Sequence, residues 1–171
     1  DKLIVGWNGL MIAGLADGGR VLRRSGYVAA AARAAGHVME TMLDAEGRLM
    51  RTARNDDVSV PAFLEDHAFL ARGLLALHEA TGDPDWLERT ERIVASAREL
   101  FWGDDGAWYD TRSDQDDLFV RSRNVIDGAV PSATGSMLMI LPRLAWHTGD
   151  ASHLDDFQSA MERMSGAFAA D

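Results

Sequence analysis

Three stretches of this chain, LMIAGLA (10–16), AFLARGLLAL (68–77) and MLMILPRLAW (137–146), are apolar on nearly every side. A helix with that pattern needs protein over most of its surface, and none of the three is long enough to cross a bilayer. The segments between them are one-sided. In 84–102, Trp86, Ile93, Val94, Ala97, Leu100 and Phe101 recur at helical spacing, and Glu88, Arg89, Glu91, Arg92 and Glu99 cover the other face. Tyr27, Ala31, Ala34, Val38 and Met42 repeat the pattern, as do Leu154, Phe157, Met161, Met164 and Phe168. Six helices are expected, at about 7–24, 27–43, 65–81, 84–102, 132–148 and 151–169. The first, third and fifth belong inside and the others outside. Pro142 is expected to kink the fifth.

The connections alternate as well. The tripeptide TGD at 81–83 and 148–150 offers Gly for a left-handed helix end and Asp for the next N-cap, with Pro84 at the first helical position. Gly26 is expected to serve the first hairpin in the same way. The links between hairpins, about 44–64 and 103–131, are long, and few segments read as strands. Aligning the TGD turns gives an internal offset of 67, and DAEGRLMRT (44–52) matches GDDGAWYDT (103–111) at an offset of 59. These periods exceed those of tetratricopeptide, ankyrin or HEAT units. The expected architecture is all-α: three α-hairpins, about 7–43, 65–102 and 132–169, forming part of an (α/α)6 barrel or toroid, with long irregular loops at one end. Three hairpins do not close a six-hairpin ring. The open edge calls for more of the same chain or for self-association through exposed apolar helices.

Charge and composition exclude several classes. A net charge of −10 argues against nucleic acid, whose phosphates need clustered Lys and Arg. The chain has no cysteine, which removes disulfides, thiol catalysis and zinc–thiolate sites, and with them a lanthionine-cyclase-like barrel. A cytoplasmic protein is the expectation, with no membrane partner. The absent initiator Met suggests a piece of a longer protein.

The long loops and the heads of the inner helices gather at one end, where long loops tend to carry function. Trp7-Asn8-Gly9 is either a hydrophobic staple with an Asn N-cap, or an indole platform with an amide for a sugar hydroxyl. Glu65-Asp66-His67 heads the third helix. The acids suit the helix dipole, or Asp66 and His67 do acid/base work with Glu65 binding substrate. Trp108 and Tyr109 offer rings for stacking. Arg121 and Arg123 are either solvated or bind a hydroxyl-rich or anionic ligand. Asp127 is a second candidate carboxylate and Ser132 a candidate ligand contact. The acidic runs RNDD (54–57) and DQDD (114–117) follow no calcium-loop pattern and read as solvated. His37, His78, His147 and His153 read as structural. Neither a metal site nor a Gly-rich phosphate loop is present, so no cofactor is called for.

The stretches DKLIVGWNGLMIAGLA, LEDHAFLARGLLALHEATGD and GAWYDT followed by VRSRNVIDGAVPS resemble motifs of the spermatogenesis-associated, thioredoxin-domain-containing proteins and their bacterial relatives. That resemblance implies an internal piece of a six-hairpin barrel similar to those of N-acylglucosamine 2-epimerases and six-hairpin glycosidases, with a thioredoxin-like domain elsewhere in the whole protein. Three departures stand out. His67 replaces a usual Tyr, Asn124 stands in the Lys or Glu region after Arg123, and PSATGS replaces PSGNS, putting Thr134 where Asn is expected.

Two functions follow. One is a carbohydrate-active barrel. As a glycosidase it would set Asp66 and Asp127 about the scissile bond. As an epimerase it would use His67 or Asp66 as base, with Arg121 or Arg123 on the enolate oxygen. The other is a non-catalytic helical module that docks a peptide or the thioredoxin-like domain.

Overall fold

A computed structural model describes residues 2–55, 57–114 and 120–168, with side chains described up to 165. The helices are α1 (Val5–Val21), α2 (Ser25–Thr41), α3 (Leu64–Thr81), α4 (Pro84–Phe101), α5 (Ala133–Thr148) and α6 (Ser152–Phe168). Inner and outer roles divide as the patterning predicts. α3 is the central rod, with Leu64, Phe69, Leu70, Leu74, Leu75 and Leu77 buried along its length. It packs against α1 on one side and α5 on the other, with α4 behind it, while α2 covers α1 and α6 covers α5. The side chain of Phe168 and parts of the acidic runs (residues 56 and 115–117) lie outside the described residues.

The internal repeat is structural. In both TGD turns a glycine sits in the left-handed region, Gly82 at φ 71° and Gly149 at φ 77°. Their amides close on His78 O and Ala145 O, Asp83 and Asp150 accept from Asp85 N and Ser152 N, and Thr81 and Thr148 bond back to Leu77 and Leu144. The second repeat agrees as closely. Gly47 (φ 79°) and Gly106 (φ 80°) turn two small hairpins, each pinned by a single bridge, Leu43 to Leu49 and Trp102 to Trp108.

Three expectations are corrected. Part of the 44–64 loop is sheet. β1 (Lys2–Ile4), β2 (Met50–Arg54) and β3 (Asp57–Pro61) form an antiparallel sheet in that order. Each strand is too short for its alternation to stand out, and β1 runs straight into α1 with no turn residue between them. Gly26 is not the first hairpin's turn. It lies inside α2, and the left-handed position is Arg23 at φ 53°, from which Arg24 N reaches Gly19 O at 2.8 Å. Asn8 does not cap α1, because the helix begins three residues earlier. Its amide nitrogen donates instead to Ile4 O at 2.8 Å. Pro142 lies inside α5, which continues through it as helix.

Glycines set the closeness of α1 and α3. A Cβ on Gly9 would fall 2.6 Å from Leu70 N, and one on Gly73 would fall 2.7 Å from Gly9 O. Backbone meets backbone at this crossing, which only glycine permits. No helix among the described residues is long and apolar enough to cross a membrane.

Candidate functional site

The heads of α3 and α5 and the segment between α4 and α5 enclose a cavity of about 310 Å³. Phe63, Glu65, Asp110, Asn124, Pro131 and Ser132 are among its lining residues. Two of the residues singled out in the sequence, Glu65 and Ser132, therefore line the same cavity. Asp110 was missed. It sits inside the GAWYDT stretch, directly after the two aromatics that drew attention.

Chain pairing positions Asp110. Its amide donates to Ser122 O at 2.9 Å, and its carbonyl receives Leu64 N at the start of α3. Its carboxylate accepts from Asn124 N at 2.8 Å and from the Ser122 hydroxyl at 3.4 Å. Burial pushes the Asp110 carboxyl above the usual carboxylate range. The Asn124 amide and Ser122 hydroxyl pull it part of the way back, and the nearby Glu65 charge raises it further. Arg51 of β2 holds Glu65, with Nη1 2.7 Å from Oε1. The Arg51 guanidinium also lies 5.0 Å from the centroid of the Phe63 ring. The cavity thus places a charge-paired carboxylate near one with a raised affinity for its proton.

Asp66 is turned away from this cavity. It is 1% exposed and accepts from Gly6 N (3.1 Å), Phe63 N (3.0 Å) and Arg51 Nη1 (2.8 Å). One carboxylate thereby caps the first turns of both α1 and α3 and ties them to the sheet. Burial pushes its carboxyl up, against the pull of these donors. His67 points into the core. Its ring meets Phe101 edge-on at 5.2 Å, Nδ1 bonds Phe63 O at 3.0 Å, and Nε2 has only Ser96 Oγ at 3.5 Å. Burial lowers its pKa to about 4, so it is neutral at neutral pH.

The remaining candidates mostly build the loop. Trp108 is fully buried and packs edge-on against Trp102 at 4.9 Å, which removes it as a stacking platform. Tyr109 has two guanidinium carbons near its ring, Arg121 at 4.2 Å and Arg123 at 4.1 Å from the centroid. Arg121 donates to Thr111 O and Phe101 O, and Arg123 donates to Trp108 O and both oxygens of Asp105. These arginines clamp the 120–131 segment onto the end of α4 rather than offering free forks to a ligand. Asp127 does not line the cavity. Its Oδ1 accepts from Ser132 N at 2.8 Å, while Ser132 Oγ caps α5 through Gly135 N at 3.0 Å. Trp7 is 64% exposed at the head of α1 and outside the cavity lining, as is Asn8. Among the described residues no three His, Asp or Glu side chains gather as metal ligands.

The fold is that of the (α/α)6 barrel enzymes. The α-mannanase of Bacteroides thetaiotaomicron, from glycoside hydrolase family 76, superposes with a TM-score of 0.74 at 17% identity, covering 97% of this chain and 45% of the mannanase. Cellobiose 2-epimerase from Bacillus thermoamylovorans superposes at 0.71 with 12% identity, covering 94% of this chain and 44% of the epimerase. At such identities the likeness is one of fold. In sequence the chain is related to spermatogenesis-associated protein 20. The human protein is 35% identical over 166 residues, covering 91% of this chain. This chain spans about a fifth of that relative's length, 21%. No protein-family profile matches the chain.

Proposed function

We propose that this chain forms one wall of a saccharide-binding cleft in a carbohydrate-active (α/α)6 barrel, with Glu65 and Asp110 as its working carboxylates. The observation that carries this reading is the shared cavity, in which burial raises Asp110 while Arg51 pairs with Glu65. A carboxyl with a raised affinity for its proton can give it to the departing glycosidic oxygen as the C–O bond breaks, while the paired carboxylate faces the positive charge developing at the anomeric carbon, to which water then bonds. Asn124 and Ser132 supply polar edges for hydroxyl groups, and Phe63 supplies an apolar face.

Glycosyl hydrolysis is favoured over epimerisation. The residues the sequence offers for either reaction, His67, Asp66 and Asp127, are committed to packing and capping, and hydrolysis is what a carboxyl of raised proton affinity beside an ion-paired carboxylate suits. Inactive mannanase variants with two consecutive aspartates replaced occur among the structural neighbours. Glu65-Asp66 is a consecutive acid pair at the head of α3, and of the two only Glu65 reaches the cavity. We further propose that more hairpins complete the ring, covering the large apolar side chains exposed on α1 (Trp7, Met11) and α5 (Met139, Trp146).

The test is turnover by the full-length protein. α-1,6-Mannotriose, cellobiose and related oligosaccharides are incubated with it and the products separated by chromatography. Asp110→Asn and Glu65→Gln should each lower the rate by about 10²–10⁴-fold, and Asp127→Asn should leave it within severalfold. Full activity in Asp110→Asn refutes the assignment.

A further inference from the structure

A second hollow, of about 450 Å³, lies between the outer helices α2 and α4 beside the Gly47 hairpin. Its size suits a small organic molecule. Met39, Leu43, Leu49 and Ile93 form its apolar part, with Leu49 and Ile93 buried. From α4 it receives Arg89, Arg92 and Ser96. Together with Ile93 these stand at helical i, i+3, i+4 and i+7 spacing, so they share one face.

The two arginines differ from those that bind the fold together. Arg51, Arg98, Arg123 and Arg143 each meet a carboxylate at 3.0 Å or less. Arg92 has Glu88 at 3.9 Å, beyond hydrogen-bond reach, and Arg89 rests on the Trp86 ring, 5.1 Å from its centroid. Glu40 also lines the hollow, so its polar rim carries both signs, two positive and one negative. Behind Ser96 stands His67, buried, with Nδ1 on Phe63 O and Nε2 left with the 3.5 Å contact to Ser96 Oγ. A proton on Nδ1 makes Nε2 an acceptor, one residue behind the lining and in touch with it only through Ser96.

We propose that this groove binds a small amphiphile with an anionic head and a medium-length apolar tail, the tail lying over Leu43, Leu49 and Ile93 and the head between Arg89 and Arg92. An apolar floor and a rim of two positive charges to one negative together fit such a molecule better than a sugar, which needs a ring platform, or a neutral alcohol, which brings no charge to the guanidiniums. The site is separate from the Glu65–Asp110 cavity and does not rest on the function proposed for it.

Titration calorimetry on the full-length protein, with octanoate, octanol and acetate as probes, tests this. Octanoate should bind at least tenfold more tightly than octanol or acetate. The Arg89→Glu/Arg92→Glu double variant should lose at least tenfold in octanoate affinity while remaining folded by circular dichroism, Arg92 being exposed and Arg89 half-buried on the Trp86 ring. Asp110→Asn should bind octanoate as the unaltered protein does. Octanoate should also move the His67 Nε2 resonance in 15N spectra, and should not do so in the double variant. Absence of octanoate binding, equal binding by the double variant, or octanol binding as tightly as octanoate would each overturn the assignment.

Discussion

Arg51 donates to the buried carboxylate of Asp66 at 2.8 Å, and that contact joins the sheet to both inner helices it borders. The same guanidinium nitrogen meets Glu65 at 2.7 Å, so one residue of β2 supports the fold and orients a wall of the cavity. Removing Arg51 leaves the Asp66 charge buried with only backbone donors, whereas removing the Asp66 charge leaves Arg51 still paired with Glu65. Arg51→Met is expected to cost about 3 kcal/mol, in the range for a buried charge left without its partner, and Asp66→Asn clearly less, because Arg51 keeps Glu65 and burial already disfavours the Asp66 charge. Chemical denaturation of the single variants and of the double variant measures this. The double variant should cost clearly less than the sum of the singles, and strict additivity would show that the pair is not coupled.

The crossing of α1 and α3 makes opposite predictions for two glycines on the same helix. Gly9→Ala drives a methyl into the Phe69–Leu70 backbone and should destabilise by about 2–3 kcal/mol. Gly14 has nothing within 4 Å of its notional Cβ. Gly14→Ala should therefore stabilise by roughly 0.5–1 kcal/mol, through helix propensity alone. Paired thermal melts decide it, and equal shifts would contradict the close approach.

His67 should shape the acid limb of stability. It is neutral in the fold down to about pH 4 and titrates near 6.5 in the unfolded chain. Below about pH 6.5 the unfolded state takes up a proton that the folded state refuses, so its share of stability is whole above that pH and is lost as pH falls towards 4. The loss amounts to about 3 kcal/mol on that interval. His67→Phe should flatten this part of the curve in urea denaturation at pH 7, 6, 5 and 4. An unchanged slope would mean that His67 is not the group responsible.

The rods and their hairpins were legible because periodicity reports burial directly. The contrast between α3 and α4 is a contrast in how many faces are covered. The TGD turns were legible because Gly, Asp and Pro each have one mechanical job there. What sequence reading could not supply was direction. Trp108, Arg121 and Arg123 look like ligand-binding types in a functional loop, yet the indole fills the core and the guanidiniums spend their donors on Thr111, Phe101, Trp108 and Asp105. Glu65 and Asp66 are neighbours in sequence with opposite fates, because one helical step of about 100° sends one side chain to the cavity and the next beneath the sheet. Asp110 was hidden by its partners. Nothing local marks it, and the Asn124 amide and the head of α3 that place it come from elsewhere in the chain.

A crystal structure of the full-length protein carrying Asp110→Asn, soaked with an oligosaccharide that the unaltered protein cleaves, bears most directly on the saccharide cleft. The expected electron density has a glycosidic oxygen within about 3 Å of the side chain at position 110, hydrogen-bond range, and the anomeric carbon facing Glu65. A sugar seated at Trp7 with the Glu65–Asp110 cavity empty would contradict the account.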